Sequence, residues 1–323
     1  MRVPTATPAL RALAVVALAA CGWSAAAQAP LAAPAAPAPA AASAPLPAAA
    51  PASAAAPAAA ASGAANPVAG AVERAHARLR QAHLGHLYER LTVEPDELKR
   101  QCRFESDIAT APPAGLVALS FDDGPDPERT PQILAVLEHY KIQATFFLIG
   151  EKMKKYPELV AEIVAKGHLI GSHSWSHPNF HDIPEAAQRS DIEQGLAQMP
   201  ADGVPVKVYR YPYGNSSCAG NALLHAQGWR IVGWHVDSCD WAYDRTGSVD
   251  AQEALSCGVT SQYRSDFVGH VAAAVRARKG GIVLMHEIHA NTLAKLPEVI
   301  EEIRKDGYDF TRVDDPRLAD SLR

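Results

Sequence analysis

Two adjacent carboxylates and two histidines four residues apart are the side chains of this sequence best suited to chemistry. Asp122 and Asp123 directly follow the apolar run 116–121. Adjacent carboxylates repel each other, so the pair needs a cation or a proton nearby. His173 and His177 form an HxxxH pattern that on a helical turn would place both imidazoles close enough to share a metal ion. Two His and one Asp leave coordination positions open, which is typical of a catalytic metal site.

The residues around both patterns favour a metal site over a solvent-exposed turn or a chance HxxxH spacing. Asp-Gly-Pro after Asp122 is good turn chemistry, and an HxxxH spacing alone is common. The histidines, however, follow Gly171-Ser172 at the end of a predicted strand, and Pro178 comes directly after them. We therefore expect a metal site anchored by turns, and the ligand types fit Zn²⁺ or another divalent ion.

Short apolar strands alternate with helices from residue 115 onward. Strands are predicted at 116–121, 144–149, 168–171, 207–211, 229–236, 281–285 and 310–313. Helices are predicted at 130–139, 157–166, 184–198, 219–227, 263–278 and 293–306, with a long loop at 243–261. This alternation predicts an α/β fold with parallel strands, and about seven repeats favour a distorted (β/α)7-type barrel over an open sheet. In such barrels the chemistry lies at the carboxyl ends of the strands, where the polar clusters fall.

Five segments, in order, resemble the motifs of the polysaccharide deacetylases, the NodB-homology domain of carbohydrate esterase family four. They are Phe121-Asp122-Asp123-Gly124-Pro125, His173-Ser174-Trp175-Ser176-His177-Pro178, Arg210-Tyr211-Pro212-Tyr213-Gly214, Asp237-Ser238-Cys239-Asp240-Trp241 and Ile282-Val283-Leu284-Met285-His286. Five ordered motifs over about 165 residues are very specific.

The resemblance implies the base, the metal ligands and the partner of the base. Asp122 would be the general base, and Asp123, His173 and His177 would bind the metal. Arg210 would keep Asp122 ionised, because an adjacent cation lowers the pKa of a carboxyl group.

The remaining motifs imply the acid and the substrate contacts. The backbone N–H of Tyr213 would stabilise the oxyanion, and His286, oriented by Asp240, would be the general acid. Trp241 and Leu284 would wall an apolar slot for the acetyl methyl group. The substrate contacts implied are Trp241, Leu284 and Tyr211. Asp237 would support the site from behind, and His289 fits a rim or supporting position better than a ligand position.

The function implied is hydrolysis of N-acetyl, or O-acetyl, groups on an amino-sugar polymer by a metal-activated water. Zn²⁺ is the first choice of cofactor, with Co²⁺, Ni²⁺ or another divalent ion as alternatives. The partner would be an acetylated polysaccharide, with peptidoglycan and poly-N-acetylglucosamine ranked above chitin oligomers and O-acetylated xylan.

Two other functions compete with this interpretation. A non-haem iron oxygenase also uses two His and a carboxylate, but the motifs around Arg210 and Asp240 have no task in that chemistry. A catalytically inactive, lipid-tethered glycan-binding module would keep the fold. Such proteins usually lose the base, a ligand or the acid, and all of these are present here.

The N-terminus resembles an export signal. Positive charges before the apolar run 12–20 predict a signal peptide over residues 1–20, and Cys21 ends a sequence that resembles the bacterial lipoprotein box. Lipidation of Cys21 is favoured over plain secretion with cleavage after residue 29, because Pro30 disfavours that cut. The protein would then be periplasmic and lipid-anchored to the cell envelope, and otherwise periplasmic or secreted.

Composition divides the rest of the chain into three parts. Residues 21–69 are almost wholly alanine and proline, which predicts a disordered linker. Residues 70–112 predict a short helical extension, and residues 113–323 form the catalytic domain that the motifs imply.

Charge and cysteine content exclude some partners. The net charge is −5 with no basic stripe, which argues against nucleic acid. No stretch of 18 or more apolar residues follows the N-terminus, so membrane attachment is expected only through the lipid on Cys21. Cys102, Cys218, Cys239 and Cys257 allow two disulfides in an oxidising compartment, and the sequence does not choose among three pairings and unpaired thiols. No pattern indicates an oligomeric state.

Overall fold

The computed structural model describes residues 102–106, 108, 110–200 and 204–323. The predicted signal peptide, the Cys21 lipidation site, the linker 21–69 and most of the helical extension lie outside these residues. Within the described part, no helix has the length and apolar character needed to cross a membrane.

A sheet of eight parallel strands forms the centre of the described part. The strands are β1 (Leu116–Gly124), β2 (Thr145–Leu148), β3 (Leu169–Ser172), β4 (Val208–Tyr209), β5 (Arg230–Ile231), β6 (Val236–Asp237), β7 (Gly280–His286) and β8 (Asp309–Thr311). They follow the order β5-β4-β3-β2-β1-β7-β6, and β8 also pairs with β1. All these pairings are parallel, which confirms the predicted α/β fold and distorted barrel.

Nine helices in the described residues cover the sheet. They are α1 (Thr130–His139), α2 (Gly150–Lys155), α3 (Pro157–Ala165), α4 (Glu185–Leu196), α5 (Cys218–Ala226), α6 (Asp240–Thr246), α7 (Ala251–Cys257), α8 (Phe267–Arg278) and α9 (Ala290–Lys305). β1 is mostly apolar up to Phe121 because helices and neighbouring strands bury it on both sides. The largest apolar cluster joins strand side chains such as Leu119 and Phe146 to helix side chains such as Leu134 and Ile300.

The long loop predicted at 243–261 is wrong, because helices α6 and α7 occupy most of it. Helix α7 begins with a capping box, in which the Asp250 side chain accepts the Glu253 N–H and the Glu253 side chain accepts the Asp250 N–H. A disulfide from Cys239 to Cys257 joins the start of α6 to the end of α7. A second disulfide joins Cys102 to Cys218, so the structure selects one of the possible pairings.

The strand predicted at 229–236 is broken in the middle, where the chain crosses from one end of the sheet to the other. Val232 N–H donates to the Tyr209 carbonyl at 2.9 Å, and His235 N–H donates to the Ile282 carbonyl at 2.9 Å. Between them, Trp234 exchanges backbone hydrogen bonds with Ser106 and Ile108. These residues close the gap between β5 and β6 at the ends of the sheet.

Candidate active site

The carboxyl end of β1 brings both aspartates to one histidine. The pairing of β1 with β2 shifts register between Asp122 and Gly124, and Asp123 has a φ of 73°. Consecutive side chains of a regular strand point to opposite faces. Here the irregular backbone places Asp122 Oδ2 at 3.6 Å and Asp123 Oδ1 at 3.5 Å from His173 Nε2.

A loop, not a helical turn, carries the two histidines. Residues 173–178 are not helical, and both Ser174 and His177 adopt the left-handed region with φ of 67° and 58°. The rings of His173 and His177 nevertheless lie 4.9 Å apart between centroids. His177 Nε2 is 3.2 Å from Asp123 Oδ1. The spacing therefore brings the rings together, but by a different backbone path.

Asp123, His173 and His177 fit a divalent metal ion. Their candidate ligand atoms lie within 4.8 Å of one another. Asp123 Oδ1 is buried and has no hydrogen-bond partner. The Nδ1–H of His173 donates to the Arg210 carbonyl at 2.8 Å, which leaves Nε2 as the acceptor nitrogen that faces the aspartates.

The ionisation of these groups also suits a metal ligand. Burial lowers the pKa of His177 to about 4, so its ring is neutral at neutral pH. Burial acts to raise the pKa of Asp123, but His177 and His173 outweigh it and hold that pKa well below its usual range. Metal ions bind neutral imidazoles and ionised carboxylates, and both forms are present here.

Arg210 fixes the second carboxylate, that of Asp122. Its Nη1–H donates to Asp122 Oδ1 at 2.7 Å and to Ser120 Oγ at 2.9 Å. The rest of the guanidinium donates to the carbonyls of Val232 and Gly233. Both charges are buried, so each depends on the other for compensation.

His286 lies at the end of β7, directly opposite Asp122 in the pairing of β1 with β7. Its Nδ1–H donates to Asp240 Oδ1 at 2.7 Å, while Asp240 Oδ2 accepts the His286 N–H and the Thr292 hydroxyl. Burial alone would lower the pKa of His286, but the Asp240 carboxylate raises it to about 10. In return, His286 outweighs the effect of burial and lowers the pKa of Asp240 to about 2. The imidazole is thus protonated at neutral pH.

Of the predicted substrate contacts, Tyr211 is not brought to this site. Its side chain is 1% exposed and packs against Phe180 and Tyr209 in an apolar cluster. A side chain so buried offers no surface to a substrate, so the expectation is corrected. Tyr213, by contrast, is 38% exposed and its ring lies 4.8 Å from that of His177.

Trp241 and Leu284 lie in the two segments that carry Asp240 and His286, the start of α6 and strand β7. Trp241 is partly buried at the first turn of α6, and its backbone N–H donates to Asp240 Oδ1. Leu284 is buried on β7 and pairs with Ser120 on one side and Asp237 on the other. Asp237 Oδ1 accepts the Cys239 N–H, which shapes the turn before Asp240.

His289 lies beside His286. Its ring centroid is 5.5 Å from that of His286, and its Nδ1 is 3.3 Å from Asp244 Oδ2. Asp240, His286 and His289 form a second group with metal-ligand geometry. Both Asp240 oxygens already accept hydrogen bonds, which favours a rim position for His289 over a ligand role.

Sequence reasoning missed several residues that support the site. Glu287 is fully buried, its carboxylate accepts the Thr130 hydroxyl, and burial raises the pKa of Glu287 to about 8. Asp191 on α4 accepts hydrogen bonds from the histidine loop. Thr292 on α9 donates to Asp240. Single polar residues in turns and on helices carry no sequence signal of their own, so only the fold reveals them.

Comparisons with known proteins found similar sequences and similar folds. Residues 109–232 match the family described as Polysaccharide deacetylase. A peptidoglycan-N-acetylglucosamine deacetylase of Bacillus cereus is 32% identical over 203 residues, which cover 61% of this chain and 86% of that protein. A relative of the same description in Listeria monocytogenes is 30% identical over 200 residues, and these span 62% of this chain but only 38% of the relative. The solved family 4 carbohydrate esterase from Streptomyces lividans in complex with acetate has a TM-score of 0.50 and 29% identity, covering 62% of this chain and 93% of that one.

Proposed function

This chain belongs to the polysaccharide deacetylase family, and on that premise we propose that residues 113–323 remove N-acetyl groups from an amino-sugar polymer by metal-dependent hydrolysis. The observation that carries the proposal is the placement of a base and an acid on adjacent strands. Asp122, held by Arg210, and His286, held by Asp240, are direct partners across β1 and β7. The group of Asp123, His173 and His177 lies beside Asp122.

Asp123, His173 and His177 would hold the metal ion, with Zn²⁺ as the first choice. A bound divalent ion polarises an acetamide carbonyl and acidifies a water molecule. Asp122 would accept the proton of the attacking water. Arg210 donates a hydrogen bond to Asp122 Oδ1, and Asp122 Oδ2, which faces His173, stays available for that proton. The backbone N–H of Tyr213 would donate to the carbonyl oxygen as it gains negative charge.

His286 would donate the proton that the departing amine needs. An amide nitrogen is a poor leaving group unless it is protonated, and a histidine with a pKa of about 10 carries that proton at neutral pH. Asp240 would keep the ring oriented, and Trp241 and Leu284 would enclose the acetyl methyl group. Cleavage proceeds by direct attack of water, without a covalent enzyme intermediate.

Peptidoglycan is the polymer that we rank first. Two relatives are described as peptidoglycan-N-acetylglucosamine deacetylases, and another, from Bacillus subtilis, as a peptidoglycan-N-acetylmuramic acid deacetylase. Residues 1–20 would export the protein, Cys21 would carry the lipid, residues 21–69 would tether the domain and residues 70–112 would form a helical extension. The site would then face the cell wall.

The test is acetate release by the purified protein loaded with Zn²⁺. Peptidoglycan, poly-N-acetylglucosamine, chitin oligomers and O-acetylated xylan are compared at equal acetyl content. We expect the highest kcat/KM on peptidoglycan. Metal-loaded protein that binds these glycans but releases acetate from none of them would instead support the inactive binding module.

A further inference from the structure

We propose that Asp191 and Gly195, on one face of helix α4, hold the loop of His173 and His177 in the conformation that binds the metal ion. Neither residue contacts the reacting atoms, so both are positioning residues. The inference rests on the proposed function, because it assumes that the two histidines are ligands. It adds a structural cause for the geometry of that site.

The histidine loop has a backbone that requires support. Ser174 and His177 both have positive φ values, 67° and 58°. This left-handed region is unfavourable for residues that carry a Cβ atom, and such residues persist there only when the surrounding structure holds them. One internal hydrogen bond, from His177 N–H to Ser174 Oγ at 3.0 Å, contributes to this. The contacts to the middle of the loop, residues 174–176, come from neighbouring helices.

Asp191 binds the middle of the loop, between the two histidines. Its Oδ1 accepts the Trp175 N–H at 2.9 Å. Its Oδ2 accepts the Ser176 hydroxyl at 2.6 Å and the Ser176 N–H at 3.2 Å. The side chain is 7% exposed overall, and hydrogen bonds to an ionised acceptor are the stronger kind. One carboxylate thus fixes both backbone amides that lie midway between the ligands.

Gly195 lies one helical turn after Asp191 and lets α4 touch the same loop. A Cβ atom at Gly195 would lie 2.6 Å from the carbonyl carbon of Ser174 and 2.9 Å from the Trp175 nitrogen. Real Cβ atoms do not approach backbone atoms so closely, so any larger residue would displace the loop or the helix.

Helix α2 binds the carbonyl groups of the loop. Gly150 N–H donates to the Ser174 carbonyl at 2.9 Å, and Glu151 N–H donates to the Trp175 carbonyl at 3.1 Å. The loop carbonyls are therefore bound by α2 and the loop amides by Asp191. The middle of the loop is therefore held by hydrogen bonds from two directions, and His173 and His177 lie at its two ends.

The test compares three full-length variants with the wild-type protein in metal-free form. Asp191→Asn keeps the size of the side chain but places an NH₂ group against the N–H and O–H groups of the loop. Gly195→Ala adds a Cβ atom that would displace the loop backbone. Glu193→Gln is the control, because Glu193 lies on the same helix, is half exposed and contacts only Arg189 among the ion pairs of the described residues. Each protein is titrated with Co²⁺, whose visible absorption reports the geometry of its ligands, and its melting temperature is measured without metal.

We expect Asp191→Asn and Gly195→Ala to bind Co²⁺ at least about tenfold more weakly, with a changed absorption spectrum at saturation. Glu193→Gln should match the wild type in affinity and spectrum. If Asp191→Asn fails to fold, Ser176→Ala removes only one of the three hydrogen bonds and should weaken binding in the same direction. Folded Asp191→Asn and Gly195→Ala proteins with wild-type affinity and spectrum would overturn the inference. Wild-type protein that binds no Co²⁺ would instead contradict the proposed function.

Discussion

Asp122 and Asp123 are neighbours in the sequence, yet their surroundings differ. Asp122 is bound to the buried Arg210 at 2.7 Å, whereas Asp123 Oδ1 has no hydrogen-bond partner and lies 3.2 Å from His177 Nε2. Arg210 orients Asp122 and leaves its Oδ2 open to take a proton, whereas Asp123 Oδ1 is open to a metal ion. The surroundings, rather than the residue type, separate the two roles.

Replacing each aspartate by asparagine should separate these roles. Asp122→Asn cannot accept the water's proton, so kcat should fall by about 10²–10⁴-fold while metal affinity stays near that of the wild type. Asp123→Asn should lose both activity and metal affinity. Acetate release and Co²⁺ titration measure the two properties. An Asp122→Asn protein that keeps its activity would remove this residue from the mechanism.

The ion pair of His286 and Asp240 should control the alkaline limit of activity. The folded pKa of His286, about 10, lies above its ordinary value of 6.5. The ion pair therefore contributes its full stabilisation of the fold below pH 6.5, and this stabilisation is lost as the pH rises through 10. Over the same range His286 loses the proton that it would donate to the leaving amine. In Asp240→Asn the main raising cause is gone and burial remains, so the alkaline limb of kcat/KM should move down by more than one pH unit.

Thr292→Val is the milder companion variant for this prediction. It removes only the hydrogen bond from the Thr292 hydroxyl to Asp240 Oδ2, so the alkaline limb should move in the same direction but less. An unchanged limb in Asp240→Asn would show that His286 is not the acid that the pH profile reports.

At the level of elements, sequence periodicity predicted those parts that local residues determine. Helix α1 has the predicted bounds, with Pro131 in its first turn. The sequence predicted turns around the two histidines but not the path of their loop, because that path depends on contacts with Asp191 and with helix α2. The strand at 229–236 is broken because Trp234 bonds to residues 106 and 108. These contacts leave no periodic signal.

The disulfide from Cys239 to Cys257 should support the acid through α6 and α7. Cys239 directly precedes Asp240, and the bridge closes a segment with a sequence separation of 18. The double variant Cys239→Ala/Cys257→Ala should lose about 2–4 kcal/mol of unfolding free energy, measured by urea denaturation. Its kcat should also fall at saturating metal, because Asp240 is held less firmly.

The matched control is Cys102→Ala/Cys218→Ala, which removes the other disulfide. It should destabilise the fold as well, but its kcat at saturating metal should stay near the wild-type value, since neither cysteine adjoins Asp240. A fall of kcat in the control, and none in Cys239→Ala/Cys257→Ala, would contradict the link from disulfide to acid.

At the level of the whole molecule, five distant segments of the chain meet at the carboxyl ends of the parallel strands. The ordered motifs predicted this convergence, because such ends share one edge of a parallel barrel. They did not predict that Phe104, Ser106 and Ile108 would bond to the same domain, where Phe104 pairs with Asn215 and Trp234 bonds to Ser106 and Ile108. The disulfide from Cys102 to Cys218 ties this segment to α5, and two disulfides suit an oxidising compartment outside the cytoplasm.

Cys21 provides a test of location. With lipidation, the full-length protein should fractionate with membranes, and Cys21→Ser should appear in the soluble extracytoplasmic fraction with unchanged kcat/KM on soluble glycan. The measurement is immunoblotting of the fractions from cells that express each form. A wild-type protein found wholly in the soluble fraction would favour plain secretion.

Metal-dependent acetate release from peptidoglycan tests the central claim most directly. The wild-type protein is stripped with a chelator, dialysed, and assayed before and after addition of one equivalent of Zn²⁺, with Asp123→Asn in parallel. Stripped protein should release no acetate, the added ion should restore release, and Asp123→Asn should stay inactive. Equal acetate release with and without the metal, or full activity in Asp123→Asn, would contradict the proposed mechanism.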